Sequence, residues 1–306
     1  MIPFSSIEAT TEGLRWSYRS GRLGHLVRRA VGRAFIYAGL LLGIAIFAGP
    51  LYWMVGSGLK PEGDVFEYPP NFFPSTIHWH NYPEALEQFP FVRSLTNSII
   101  IIVGIELGRL ITSSLAAFGF SRVSFPHRDK IFVLVLSTLM IPYHVTLIPQ
   151  YLIFRDLGWL DSVYPLIVPN LFGGGAFFIF LLRQFFLTIP KDYDDAARID
   201  GCGTFGIFWR IILPQSLPAL GAVAIFTFMW TWEDFLAPLI YLNSPEKHTV
   251  ALAYQQWQRS PQHFGFKHGW NHIMAIGSLI TLPPVLVFFF TQRYFIQGVV
   301  ISGIKG

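Results

Sequence analysis

The sequence predicts an all-α, polytopic membrane protein with six transmembrane helices. Three observations carry that prediction. Of 306 residues, 52% are hydrophobic and only 13% are charged, about half the charge density of an ordinary soluble domain. Six stretches meet or approach the roughly 20 apolar residues that a helix needs to cross a hydrocarbon core about 30 Å thick. Lys and Arg alternate between rich and poor connections, as the positive-inside bias of membrane proteins requires.

The stretches lie near 34–55, 95–118, 131–153, 163–185, 217–241 and 273–296. They leave no room for a large soluble domain, so 34–306 reads as one membrane unit behind a basic segment, 1–33. With the N-terminus inside, the inner connections carry Arg15, Arg19, Arg22, Arg28, Arg29, Arg33, Arg122, Arg128, Lys130, Arg183, Lys191, Arg198, Arg210, Arg293 and Lys305. The outer ones hold only Lys60, Arg93, Arg155, Lys247, Arg259 and Lys267. Both termini are therefore expected in the cytoplasm.

The net charge of +4 is accordingly a topology signal. No soluble module with a clustered basic face for nucleic acid is present. The segment before residue 34 lacks a short apolar core followed by a small-residue cleavage site, so the first span reads as an uncleaved anchor. Cys202, alone and on the cytoplasmic side, excludes an internal disulfide and a multi-cysteine metal site.

Taken in order, span one contains Pro50, which neighbouring helices or water can accommodate as a kink. The outer loop after it holds His78 and His80 beside Trp79, which read as loop packing because no third metal ligand is near. Span two carries Glu106 and Arg109, three residues apart and costly in hydrocarbon unless paired or facing a cavity. They read equally as pathway or partner-subunit contacts and as an intrahelical pair. Span three contains Pro142 and Pro149; span four contains Pro169 and Gly173-Gly174-Gly175, a close-contact or flexible point.

Between spans four and five, Pro190 can start a helix, Asp192, Asp194 and Asp195 favour its positive end, and Gly201 can stop it. About three turns are expected, with Tyr193, Ala196, Ala197 and Asp200 on one face. A second helical stretch, with Thr204 as N-cap and ending at Pro214, places Phe205, Phe208, Trp209 and Ile212 on one side. This elbow, 189–214, looks built to dock. In span five Trp230, Trp232, Glu233 and Asp234 lie toward the outer end, where rings can stack on a sugar and carboxylates can accept its hydroxyls. Interfacial anchoring accounts for the same tryptophans. The adjacent carboxylates point apart, which excludes glycoside hydrolysis. Span six contains Pro283-Pro284.

Asp195-Ala196-Ala197, then Gly201, then Ile211-x-Leu213-Pro214 resembles the "EAA" loop of membrane subunits of bacterial ATP-binding-cassette (ABC) importers. That pattern is Glu-Ala-Ala, three residues, Gly, nine residues, Ile-x-Leu-Pro, and the spacing matches throughout; Asp195 replaces the usual Glu and Cys202 stands where a small Ala is common. Further stretches are similar to the carbohydrate-uptake branch, in subunits like the smaller membrane subunit of the maltose importer. These are Ser113–Arg122, Met140-Ile141-Pro142, Ile148-Pro149, Leu157–Asp161, Phe180–Phe186, Trp232–Ile240 with Glu233 in place of Asn, and the ending from Phe295.

The resemblance implies a permease domain over 34–306, in a multi-pass subunit of the bacterial inner membrane. It implies a coupling helix seated on a cytoplasmic ABC ATPase dimer, with Tyr193, Asp195, Ala196, Ala197, Asp200, Gly201 and Phe205 at the contact. It also implies a second six-span permease subunit, an external solute-binding protein, a sugar substrate and a lipid environment. No Gly-x-x-x-x-Gly-Lys-Ser/Thr phosphate loop occurs, so no cofactor is expected here, and ATP and Mg belong to the partner. The alternatives are a membrane-embedded enzyme, for which no nucleophile motif or clustered His and carboxylate set is found, and the same permease role for glycerol phosphate or another non-sugar solute.

Overall fold

The computed structural model describes residues 5–172, 174–259 and 269–303, and every regular element among them is helical. Gly173, Lys267, Lys305 and Gly306 lie outside the described residues, as do the side chains of Arg15, Arg19, Arg22, Arg28 and Arg293. Four helical stretches are long and apolar enough to cross a membrane: Val31–Gly58, Phe91–Arg122, Tyr164–Thr188 and Trp270–Gln292. Two further spans are possible as bent pairs, Arg128–Met140 with Tyr143–Asp156 at 93°, and Thr204–Gln215 with Leu217–Glu233 at 75°.

The elements are α1 (Ser5–Gly58), α2 (Asn81–Gln88), α3 (Phe91–Arg122), α4 (Arg128–Ser137), α5 (Tyr143–Asp156), α6 (Tyr164–Ile167) and α7 (Ala176–Thr188). Then follow α8 (Asp192–Ile199), α9 (Thr204–Ile207), α10 (Leu217–Glu233), α11 (Leu236–Tyr241), α12 (Val250–Arg259) and α13 (Trp270–Gly303). Helix α3 is the hub, packing on α7, α10, α6 and α12, while α1 lies against α13.

The prolines act differently. Pro142 forces Ile141 into extended backbone, because its ring clashes with a helical predecessor, and the chain turns there. Pro50, Pro149, Pro283 and Pro284 all sit inside continuous helices. The fourth span is itself interrupted: α6 passes into a tight turn, Val168–Leu171, and Gly174 and Gly175 take positive φ before α7 begins. The span expected over 217–241 is divided in the same way, by extended Asp234 between α10 and α11.

Three apolar clusters hold the bundle. One, at the end carrying the elbow, gathers Phe118, Phe132, Leu182, Phe186, Ala197, Phe208 and Ile212. A second joins Phe89, Ile102, Trp232 and Ile276, and a third joins Ile105, Phe154, Leu166 and Tyr241. Phe35, Leu41 and Phe47 on α1 stay exposed, as expected where lipid rather than protein is the solvent.

Candidate functional site: the elbow between α7 and α10

Helix α8 is eight residues long, roughly two turns rather than three. Its C-terminus is closed by a paired backbone motif: the Cys202 N–H donates to the Ala197 carbonyl at 2.8 Å and the Gly201 N–H to the Arg198 carbonyl at 3.0 Å. That closure needs a left-handed residue between them, which Gly201 supplies at φ +79°. At the next start Gly203, not Thr204, is the N-cap, and Thr204 is the first helical residue. Phe208–Ile212 forms a π-helical turn, which rotates the following residues relative to a plain α-helix.

The face expected to dock is split by this geometry. Tyr193, Ala196 and Asp200 are exposed, but Ala197 is buried in the apolar cluster beneath the elbow. Ile199 is 87% exposed and takes the outward place that the spacing had assigned to Ala197. In the second stretch Phe205 and Trp209 face out, while Phe208 and Ile212 are fully buried. Asp195 is exposed and pairs with Arg198 at 3.2 Å across one turn.

Sequence reasoning missed the group that seats the elbow. Asp194, three residues before Ala197 and thus on the same inward face, is buried and meets Arg122 at the end of α3. Arg122 Nη1 donates to Asp194 Oδ2 at 3.2 Å, and Nη2 donates to the carbonyls of Phe186 and Ile189, both at 2.6 Å. Beside it, Arg183 of α7 donates to the Phe120 carbonyl, pairs with Asp129 and lies over the Phe132 ring. The available signal was an arginine closing an apolar span two spans before an acidic helix.

Glu106 and Arg109 form no ion pair. Arg109 instead donates to Asn170 Oδ1 at 2.5 Å and to Thr227 Oγ1 at 3.4 Å, and its guanidinium lies over the Phe178 ring. Both Glu106 carboxylate oxygens are buried with no hydrogen-bond partner among the described residues. Arg109 thus ties α3 to the interrupted fourth span, whose Gly174 packs against it.

The residues near the end of α10 are also dispersed. Trp232 is buried and stacks on Phe228, and Asp234 accepts the Ala237 N–H at 3.2 Å, capping the turn into α11. Trp230, half-exposed against Phe177 and Phe178, and exposed Glu233 remain accessible. His78 and His80 bond to each other at 3.3 Å, and Thr76 bonds to His78.

At the opposite end of the spans, Asp161 joins the connection after α5 to the segment after α11. Its carboxylate accepts the Lys247 ammonium at 2.8 Å, the Ser244 hydroxyl at 2.6 Å, and the N–H groups of Ser244 and Asn243. The Lys247 ammonium, then the Ser244 hydroxyl and N–H, hold this carboxyl well below the usual carboxylate range.

The chain is thus a helical bundle with interrupted candidate spans, and a short acidic elbow stands between two of them. The chain belongs to the binding-protein-dependent transport system inner membrane component family, whose model matches residues 109–301. It is thus the multi-pass permease subunit of an ABC importer of the inner membrane.

The sn-glycerol-3-phosphate transport system permease protein UgpE of Agrobacterium fabrum is 32% identical, covering 89% of this chain and 97% of its own. The Bacillus subtilis protein YurM, named "Probable ABC transporter permease protein", is 32% identical over 90% of each chain. Among solved structures, the fold is similar to a chain of a bacterial ABC transporter involved in import of the acidic polysaccharide alginate. That match has a TM-score of 0.74 at 23% identity, covering 85% of this chain and 95% of the other.

Proposed function

We propose that this subunit forms half of a sugar-import pathway, and that a cytoplasmic ABC ATPase dimer grips its elbow. A second six-span permease subunit supplies the other half of the path, and an external solute-binding protein delivers the solute. ATP and Mg reside on the ATPase, and both termini of this chain lie in the cytoplasm. The observation that carries the reading is the exposed ridge Tyr193, Asp195, Ala196, Ile199 and Asp200, standing on a helix whose other face is packed into the bundle.

Each residue has a physical part in docking. Tyr193 and Ile199 offer apolar area, and Ala196 lets another backbone approach closely. The Asp195–Arg198 pair is exposed and contributes little by itself, so Asp195 is readily re-paired with a basic group of the partner. Phe205 extends the apolar ridge beyond the Gly201 turn. Ala197 acts from beneath, as part of the seat. ATP repopulates the two access states only if the closed ATPase holds one of them more tightly, so differential docking at this ridge is the lever. Trp230 and Glu233 are the accessible members of the set near the end of α10 and are assigned to the solute path.

The residues shared with the carbohydrate-uptake branch support a sugar. Glycerol phosphate is the second reading, favoured by the relative named for sn-glycerol-3-phosphate transport. Affinity purification of the tagged subunit from its native host tests the docking. Ala196→Arg is expected to remain in the membrane fraction and lose the ATPase, whereas recovery of the ATPase at the parental level overturns the role of the ridge. Uptake of a labelled oligosaccharide against labelled glycerol 3-phosphate by the reconstituted importer separates the two solute classes.

A further inference from the structure

We infer that Arg122 and Asp194 form a transmission clamp that makes the elbow move as one body with α3 and α7. This rests on the reading of the elbow as the ATPase-docking element. It adds what docking does not supply, a rigid connection from the ridge into the spans. A force applied to α8 reaches the bundle only if the helix cannot rotate on its two flanking turns. Both turns are short, 189–191 and 200–203, and Gly201 and Gly203 leave the second one permissive.

Three features block that rotation. The side chains of Arg122 and Asp194 are 2% and 5% exposed, so water cannot substitute for either partner. The guanidinium is planar and presents its donors in a fixed fork, so it holds Asp194 of α8 and the two carbonyls at the end of α7 in one geometry, where an ammonium would act as a point charge. Arg122 is also the last residue of α3, the helix on which most of the bundle packs. One side chain therefore joins the docking helix, the end of the fourth span and the hub of the fold. Ala197, one turn from Asp194, fills the apolar seat beside it, and Phe208 of the following stretch packs on Phe118 of α3.

The clamp also assigns different tasks to two neighbouring aspartates. Asp195 faces out and is available to the ATPase, while Asp194 faces in and is a positioning residue. Substitution of Asp194 is thus expected to alter transmission without removing the docking surface.

The test uses the complete importer purified from its native host in lipid nanodiscs, with the permease carrying Cys202→Ser. Spin labels are placed on Asp192→Cys in α8 and Leu107→Cys in α3, both exposed positions. In the parent the distance distribution between the labels is expected to be the same without nucleotide and with Mg-ATP trapped by vanadate. In Arg122→Met it is expected to broaden and shift by several ångströms on trapping, while the ATPase still co-purifies. Asp194→Asn, which keeps the volume, is expected to show the same shift in smaller degree and provides the readout if Arg122→Met fails to accumulate. A nucleotide-dependent distance in the parent, or an unchanged one in both variants, overturns the clamp. Retention of the ATPase by Ala196→Arg would instead overturn the docking reading and leave the label result standing.

Discussion

Two ion pairs tie connections to the bundle at its opposite ends, and they differ in burial. At the elbow Arg122 and Asp194 are sealed from water, and each has one further polar atom, Arg122 Nε and Asp194 Oδ1, with no hydrogen-bond partner among the described residues. At the other end Asp161 and Lys247 are 27% and 48% exposed, and Asp161 is saturated by backbone and hydroxyl donors. A buried pair gains little net stability over apolar packing but is costly to break, because the survivor is left charged without water. An exposed pair can be broken cheaply, since water takes the partner's place. The elbow is thus built to hold one geometry and the connection at the opposite end to tolerate exchange.

The largest effect expected is from Asp194→Ala, which strands the Arg122 guanidinium. Thermal melting of the detergent-solubilised subunit should report a loss of about 3–5 kcal/mol. The double change Arg122→Met with Asp194→Leu should recover part of it, since it removes both charges, but not all, because the carbonyls of Phe186 and Ile189 lose their donor. A double variant as weak as the single one would remove the contrast between the two ends.

Asp161→Asn should melt only slightly below the parent at neutral pH, and the comparison sharpens with acid. A carboxyl held below its unfolded value of about 3.9 contributes stability that is fully present above that value and is lost as pH falls through the lower, folded one. The gap between parent and Asp161→Asn should therefore be constant above about pH 5 and narrow below about pH 4, by the same linkage. A gap that widened in acid would show that the carboxylate is not what these contacts favour.

The smallest effect is at the ridge itself. Arg198→Ala removes an exposed pair one turn long and should cost about 0.3 kcal/mol. A larger loss would mean that Asp195 is committed within the subunit and is not available to a partner.

Much of the elbow was legible in the residues. Gly201 marks the end of α8, because the paired backbone closure needs a residue that tolerates positive φ and that chemistry is local. The inward and outward faces were not legible. A spacing that gathers Tyr193, Ala196, Ala197 and Asp200 is correct for a free helix, yet the bundle takes Ala197 and Asp194 inward and leaves Ile199 out. Of the two readings left open for Glu106 and Arg109, their separation could not choose: the two make no hydrogen bond to each other, and Arg109 donates to Asn170 and Thr227, from two other spans.

By itself the sequence determined the helical membrane class, the approximate apolar spans and the elbow with its turn, since hydropathy, backbone propensity and turn chemistry act over neighbouring residues. Only the tertiary structure decided which aspartate is buried and what Arg122 holds. Those outcomes depend on groups remote along the chain: Asp194 lies 72 positions from Arg122, and no local preference specifies which side chain will meet it once both have left the solvent.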